Sequence, residues 1–296
     1  RAYLRRVARE TWRFFDDFVG PESQWLPPDN SQEALRIELA QRTSPTNIGL
    51  WLLSALGARD LGYLTTEQLV ERAQATMETL ERLERNEGHF FNWYDIQSLS
   101  PLRPQYISAV DSGNLLASLW LLEQGLTELE QQPVFGPEAI EGLVDIVGII
   151  KNLAARDPSL PPAARQTINQ LASVLMESPL EVVEVIQQLQ SATGLTQQLI
   201  SSIVGTGPSQ SELRYWSERL EKATNSWRAT VDTFLPWMES AGPLSDALHW
   251  RLPADQVPKG APVLATRTTD VPYVHWCKID GAQILEEWEW PGRYIP

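Results

Sequence analysis

Ser44-Pro45-Thr46-Asn47-Ile48-Gly49-Leu50-Trp51-Leu52-Leu53-Ser54-Ala55-Leu56 is the stretch that decides how this chain is built. Ser44 suits a helix N-cap. Pro45 suits the first turn, where its missing N–H would have no partner anyway. The run Ile48–Leu56 is apolar almost throughout, so the helix it forms is expected to be buried nearly all round. Such a helix needs other helices about it, and the flanking sequence supplies them. Upstream, residues 1–19 read as an amphipathic helix with Leu4, Val7, Phe15 and Phe18 at helical spacing, ended by Gly20-Pro21. Downstream, Thr65 and Gln68 make a capping box. The stripe Leu69, Ala73, Met77, Leu80 and Leu83 faces inward, and Gly88 is expected to stop that helix. Asp111 or Ser112 is expected to cap a further buried helix running to about Glu130.

Residues 21–43 and 89–110 lie between these helices and have no clear period, and loops of that length inside a domain usually carry function. Helix, loaded loop, helix pair, loaded loop, helix is the rhythm of the start of an α/α toroid, and an irregular helical bundle fits it as well. Beyond Gly136, helices are expected over 137–156, 161–177, 179–191, 195–204 and 209–239, separated at Pro and Gly. Residues 131–242 therefore read as a helical insertion or continuation. The stretch 253–296 changes character: Tyr273–Ile279 and Gln283–Glu289 flank Asp280-Gly281, a two-residue hairpin signal. The expected fold is all-α: a partial (α/α)6-toroid-like helical domain over 1–130, a helical insertion, and a short C-terminal β-hairpin.

Composition narrows the function. The 296 residues carry 38 acids against 24 bases, a net charge of -14, with no basic patch, which excludes a nucleic-acid partner. The single cysteine, Cys277, rules out an internal disulfide framework and suits a reducing compartment. The longest nearly apolar run, Ile48 to Ala58, is short of the roughly 20 residues that span a bilayer. No apolar stretch follows Arg5-Arg6, so no signal peptide is expected; the start without Met suggests a piece of something longer. His89, His249 and His275 show no ligand spacing, and Gly205-Thr206-Gly207 follows a helical pattern, so neither a metal nor a dinucleotide cofactor is expected. The 12 tryptophans have two uses, core filling and stacking on the C–H face of a sugar.

Three segments concentrate polar and aromatic residues where a helix core does not need them. They are Trp25-Leu26-Pro27-Pro28-Asp29-Asn30 with Gln32 and Glu33, Arg42-Thr43-Ser44-Pro45-Thr46-Asn47, and Gly88-His89-Phe90-Phe91-Asn92-Trp93-Tyr94-Asp95 followed by Ser108 and Val110-Asp111-Ser112-Gly113-Asn114. Carboxylates, amides, an arginine and flat rings on loops suit a neutral polyol, because rings cover C–H faces while the polar groups bridge hydroxyls. Glycoside chemistry also needs two acids about 5–10 Å apart, and Asp29, Glu33, Asp95 and Asp111 are the available ones. A plainer reading stands beside this one: Asp111 or Ser112 as a cap, and Asp29-Asn30 as a turn.

These same strings, together with Thr11-Trp12-Arg13-Phe14-Phe15, strongly resemble cyclic β-1,2-glucan synthases, in the glycoamylase-like region between the glycosyltransferase and the phosphorylase-like domain of those bacterial membrane enzymes. The resemblance covers residues 1–130 and continues loosely to about residue 240. It implies an (α/α)6-type domain acting on β-1,2-glucan by transglycosylation and closing the chain into a ring. It further implies a cytoplasmic, soluble module of an inner-membrane enzyme whose other domains are its partners. On this resemblance Asp95 and Asp111 are the acids lining the subsites. Trp25, Trp93 and Tyr94 stack, while Arg42, Asn47, Asn92 and Asn114 contact hydroxyls. Asp29, Asn30, Glu33, Thr46, His89 and Ser112 complete the binding set. The toroid requires six helix pairs and residues 1–130 supply two, so the chain alone is expected to bind a β-1,2-glucan oligosaccharide weakly and not to cyclise or cleave it. A non-catalytic helical glycan-binding or scaffold module is the alternative. Residues 253–296 faintly resemble a segment of tailed-phage portal proteins, which opens a third reading as a fusion with a virion structural protein.

Overall fold

The computed structural model describes residues 2–32, 38–130, 132–177, 182–203, 207–234, 274–280 and 283–290. The fold is all-α, and the chain divides into two compact units, residues 3–127 and residues 128 onward.

The first unit contains α1 (Ala2–Phe18), α2 (Pro45–Asp60), α3 (Thr66–Arg82) and α4 (Ala109–Leu129). Between them run six two-residue strands: β1 (Ser31–Gln32), β2 (Glu38–Leu39), β3 (Arg42–Thr43), β4 (Arg85–Asn86), β5 (His89–Phe90) and β6 (Tyr94–Asp95). They pair antiparallel as β1 with β2, β3 with β6 and β4 with β5. The starts of α2 and α3 lie where the capping residues put them. Ser44 accepts from Asn47 N–H at 3.2 Å, and Thr65 and Gln68 exchange both bonds of a capping box, at 3.3 and 3.1 Å.

α2 is the centre of this unit. Ile48, Trp51, Leu52 and Ala55 are fully buried, while Leu50 is exposed, so the burial is extensive without being complete. Trp51 stacks on Trp12 of α1 at 5.8 Å, and its indole N–H donates to Thr76 of α3 at 3.0 Å. The inward face of α1 differs from the expected one: it is centred on Arg9 and Trp12, and Leu4 and Val7 face solvent. The reason is charge pairing. Arg9 and Arg72 approach Asp16 at 3.8 and 3.6 Å, and this buried carboxylate joins α1 to α3.

Two further expectations are corrected here. α3 ends at Arg82, with Leu83 already extended, and Gly88 instead takes a positive φ of 86° between β4 and β5, where glycine relieves a turn. α4 is buried along one face only, through Leu115, Ser118 and Leu122, while Val110, Leu116, Trp120 and Leu121 are exposed.

The second unit is a bundle of α5 (Pro137–Arg156), α6 (Pro162–Met176), α7 (Val182–Ser202) and α8 (Pro208–Phe234). α5 neighbours α6, α6 neighbours α7, α7 neighbours α8, and α8 returns to α5, which closes the ring. Its core includes Leu143, Ile150, Leu171, Leu189, Leu220 and Trp227. Thr193, Thr196, Ser217 and Thr224 also point inward. Each satisfies its buried hydroxyl on the carbonyl four residues earlier, at 2.7 to 3.0 Å.

The helices expected over 179–191 and 195–204 are one helix, α7. Gly194 lies inside it, because the buried stripe Leu189, Ala192, Thr196 and Leu199 runs through the glycine and outweighs its propensity penalty of about 1 kcal/mol. Residues 179–181, 204 and 235–239 of the expected helices lie outside the described residues. Two longer strands, β7 (Val274–Asp280) and β8 (Gln283–Trp290), pair antiparallel from Asp280–Gln283 to Val274–Trp290, so Asp280 belongs to the ladder and not to the turn. The rest of 253–296, with its portal-like resemblance, lies outside the described residues. Among the described residues no helix is long and apolar enough to cross a membrane.

Candidate functional site

The site begins with how closely two helices approach. A Cβ added to Gly49 of α2 would stand 2.6 Å from Ser118 Oγ and 3.4 Å from Leu115 Cα of α4. Further along, one added to Gly125 of α4 would stand 2.4 Å from Leu56 Cδ2 of α2. Thr46 meets Asp111, Gly49 meets Ser118 and Leu56 meets Gly125, so positions advance in the same direction along both helices. α2 and α4 are therefore parallel, and their N-termini lie side by side.

The cap of α4 decides what Asp111 can do. Ser108 Oγ accepts from Asp111 N–H at 3.1 Å, and Ser108 O accepts from Ser112 N–H at 3.0 Å. Ser108 is thus the N-cap, and the expected capping role of Asp111 or Ser112 is corrected. Relieved of that role, the Asp111 carboxylate turns to α2, where Thr46 Oγ1–H donates to Oδ1 at 2.6 Å. Asn114, one helical turn on, donates to Thr46 Oγ1 at 3.0 Å. Asn92 reaches the other oxygen. With its amide oriented to satisfy both ends, its nitrogen donates to Asp111 Oδ2 at 2.8 Å, and its oxygen accepts from Trp93 Nε1 at 2.9 Å and Tyr106 Oη at 2.8 Å.

A second carboxylate is held on the other side of Trp93. The Arg42 guanidinium lies over the Trp93 ring, 4.5 Å from its centroid. Its Nε and Nη2 both donate to Asp29 Oδ2, at 3.1 and 2.9 Å. Asn30 donates to the same oxygen at 3.1 Å, and Asn47 donates to Asp29 Oδ1 at 3.3 Å. The contacts run unbroken: Asn30, Asp29, Arg42, Trp93, Asn92, Asp111, Thr46, Asn114. Thr46 and Asn47 are neighbours on the first turn of α2, one serving each carboxylate. That turn lends both acids the partial positive charge of a helix start.

Short backbone ladders support this arrangement. Arg42 and Thr43 pair with Asp95 and Tyr94. On the other edge of that strand, Leu102 N–H donates to Trp93 O and Asn92 N–H to Tyr106 O, both at 2.9 Å. Gln24 and Trp25 both take the left-handed backbone conformation, with φ of 53° and 60°, which disfavours each by roughly 1–2 kcal/mol. Offsetting bonds hold them there. Thr79 donates to Gln24 O, Thr76 to Trp25 O, and the Gln24 amide to Ile96 O and Gln97 O, at 2.8 to 3.1 Å.

Not every expected residue joins the chain of contacts. Tyr94, expected to stack, is wholly buried. Its hydroxyl donates to Glu84 O at 2.8 Å and accepts from Phe91 N–H at 2.7 Å, so it supports the loop from below. Burial is what raises its pKa above the ordinary tyrosine value. Asp95, expected as an acid of the subsites, commits Oδ1 to Ser98 N–H and Ser98 Oγ–H, both at 2.8 Å. The Ser98 N–H, chiefly, holds its carboxyl below the usual carboxylate range, which suits a turn-former and not a proton donor. His89 is exposed in β5, away from these contacts. Trp25 is half-buried with its backbone fixed on α3, and Ser112 Oγ is buried without a partner. Glu33 lies outside the described residues. Sequence reasoning passed over Tyr106 and Ser118, and it noted Ser108 in the polar segment before α4 without giving it the cap.

No protein-family model matches the chain. The chain does carry a region related to the cyclic glucan synthases: over 175 residues, 59% of its length, it is 38% identical to the cyclic beta-(1,2)-glucan synthase NdvB of Rhizobium meliloti (strain 1021). The matched region spans 6% of that protein's length.

Proposed function

We infer that residues 3–127 form a β-1,2-glucan-binding part of a glucan-processing enzyme. The reading rests on one observation: the unbroken run of contacts from Asn30 to Asn114 lies in a chain whose similarity is to a cyclic glucan synthase. Two carboxylates, four amides and an indole at the paired N-termini of α2 and α4 suit the hydroxyls and C–H faces of a neutral sugar. A hydrogen bond to a charged group contributes about 1.5–3 kcal/mol against about 1 for a neutral pair, so the Asp111 and Asp29 carboxylates are the strongest acceptors the surface offers. The exposed Arg42–Asp29 pair contributes less than about 1 kcal/mol by itself.

In the longer enzyme this surface holds the linear glucan during transglycosylation and ring closure. The two parallel helices that meet at the site belong to the inner ring of an (α/α)6 toroid, and the module lies on the cytoplasmic side of a membrane-anchored synthase. Asp111 orients hydroxyls there, while Asp95 and Tyr94 keep Trp93 in place.

Titration with linear β-1,2-gluco-oligosaccharides by calorimetry or NMR tests this reading. The expected result is saturable binding in the millimolar range that falls at least tenfold in Trp93→Ala and in Asp111→Ala, with the helical circular dichroism retained. Equal binding of β-1,4-linked oligosaccharides, or no loss in either variant, would contradict it.

A further inference from the structure

One ring face of Trp93 is already occupied. The indole N–H is committed to Asn92, so what the side chain offers a ligand is its ring face, and the Arg42 guanidinium covers one such face at 4.5 Å. A guanidinium and the C–H face of a sugar compete for the same π surface. The way Arg42 is anchored matters as much as where it lies. Its two hydrogen bonds end on a single oxygen, Asp29 Oδ2, and not on the two oxygens of a fork-to-fork pair. A planar group tied at one point can swing about that point and keep its ion pair. Asp29 stays fixed meanwhile, because Asn30 and Asn47 hold it independently at 3.1 and 3.3 Å. The arginine side chain is 48% exposed, so solvent has room to receive it.

We propose that Arg42 is a removable cover on the Trp93 stacking face, pivoting on Asp29, and that a glucan displaces it in order to stack. This rests on the glucan reading above and adds to it a competitor built into the site.

The test uses the whole chain labelled with fluorotryptophan, the Trp93 resonance being the one absent from Trp93→Phe. Arg42→Ala removes the cover. Arg42→Lys keeps a cation near Asp29 without the flat stack. In both variants the Trp93 resonance is expected to become more sensitive to exchange of water for heavy water. Linear β-1,2-gluco-oligosaccharides are expected to bind Arg42→Ala roughly two- to fivefold more tightly, the factor equivalent to an exposed cation–π contact. An unchanged Trp93 resonance, or binding to Arg42→Ala that is equal or weaker than to the parent, overturns the proposal and leaves the glucan reading standing. Failure of parent and variants alike to bind any oligosaccharide overturns both.

Discussion

Asp111 can turn its carboxylate to Thr46 and Asn92 because a serine three residues earlier caps the helix in its place. Ser108, Asp111 and Ser112 are all good cap formers, and local preference does not rank them. What ranks them is distant in sequence: Asn92 N–H bonded to Tyr106 O fixes where the chain leaves the loop, so the helix opens at Ala109. Ser108→Ala is therefore expected to lower stability by about 1 kcal/mol. Ser112→Ala is expected to change it little, since that hydroxyl has no partner to lose. Denaturant titrations of the two variants decide this, and a larger loss in Ser112→Ala would reverse the assignment. The same limit explains Tyr94 and Asp95. In the sequence both look like ligands, as aromatic and acidic loop residues do. Only the fold shows that the Tyr94 hydroxyl serves Glu84 and that the Asp95 carboxylate closes a turn with Ser98.

Helices were legible wherever their ends were local. Ser44 and the Thr65–Gln68 box placed the starts of α2 and α3 because the bonds involved span only three residues. Gly88 and Gly194 misled for the opposite reason: whether a glycine ends a helix depends on the buried stripe around it, which belongs to the other helices. The α2–α4 seam shows the same dependence in a measurable form. In an open helix interior, replacing glycine by alanine stabilises by roughly 0.5–1 kcal/mol. Gly57 has nothing within 4 Å of an added Cβ, so Gly57→Ala is expected to gain that amount. Gly49→Ala adds the same methyl to the same helix at 2.6 Å from Ser118 Oγ and 2.9 Å from its Cβ, and is expected to lose about 1–3 kcal/mol. Thermal unfolding of the pair should show opposite signs.

On the scale of the whole molecule, the two units differ in kind. The first devotes much of its chain to loops that hold polar side chains in register. The second is four helices closed in a ring about an apolar core, with its inward hydroxyls satisfied within their own helices. A core drawn chiefly from these four helices, with Phe135, Leu160 and Ile203 closing it from their connections, should not need the rest of the chain. A polypeptide spanning 128–234 is expected to fold alone, with a single cooperative transition and a near-ultraviolet signal from the buried Trp216 and Trp227. A non-cooperative melt would show that this bundle depends on its neighbours. The sequence revealed this division only as a change in composition, from aromatic and charged to Gln-, Ser- and Ala-rich. The site itself was half legible: the polar loops were visible, and the joinery that brings them together was not.

That joinery has a mechanical meaning. Each end of the α2–α4 seam has a notch on one helix and a peg on the other: Gly49 receives Ser118, and Gly125 receives Leu56. The notches are on opposite partners, so the joint is keyed. Sliding either helix by one residue, about 1.5 Å, drives a peg out of its seat. The gauge between Thr46 and Asp111 is thereby cut into the backbone. A ligand that does not match it cannot be accommodated by gliding the helices, and what that end of the unit admits becomes a property of two glycines.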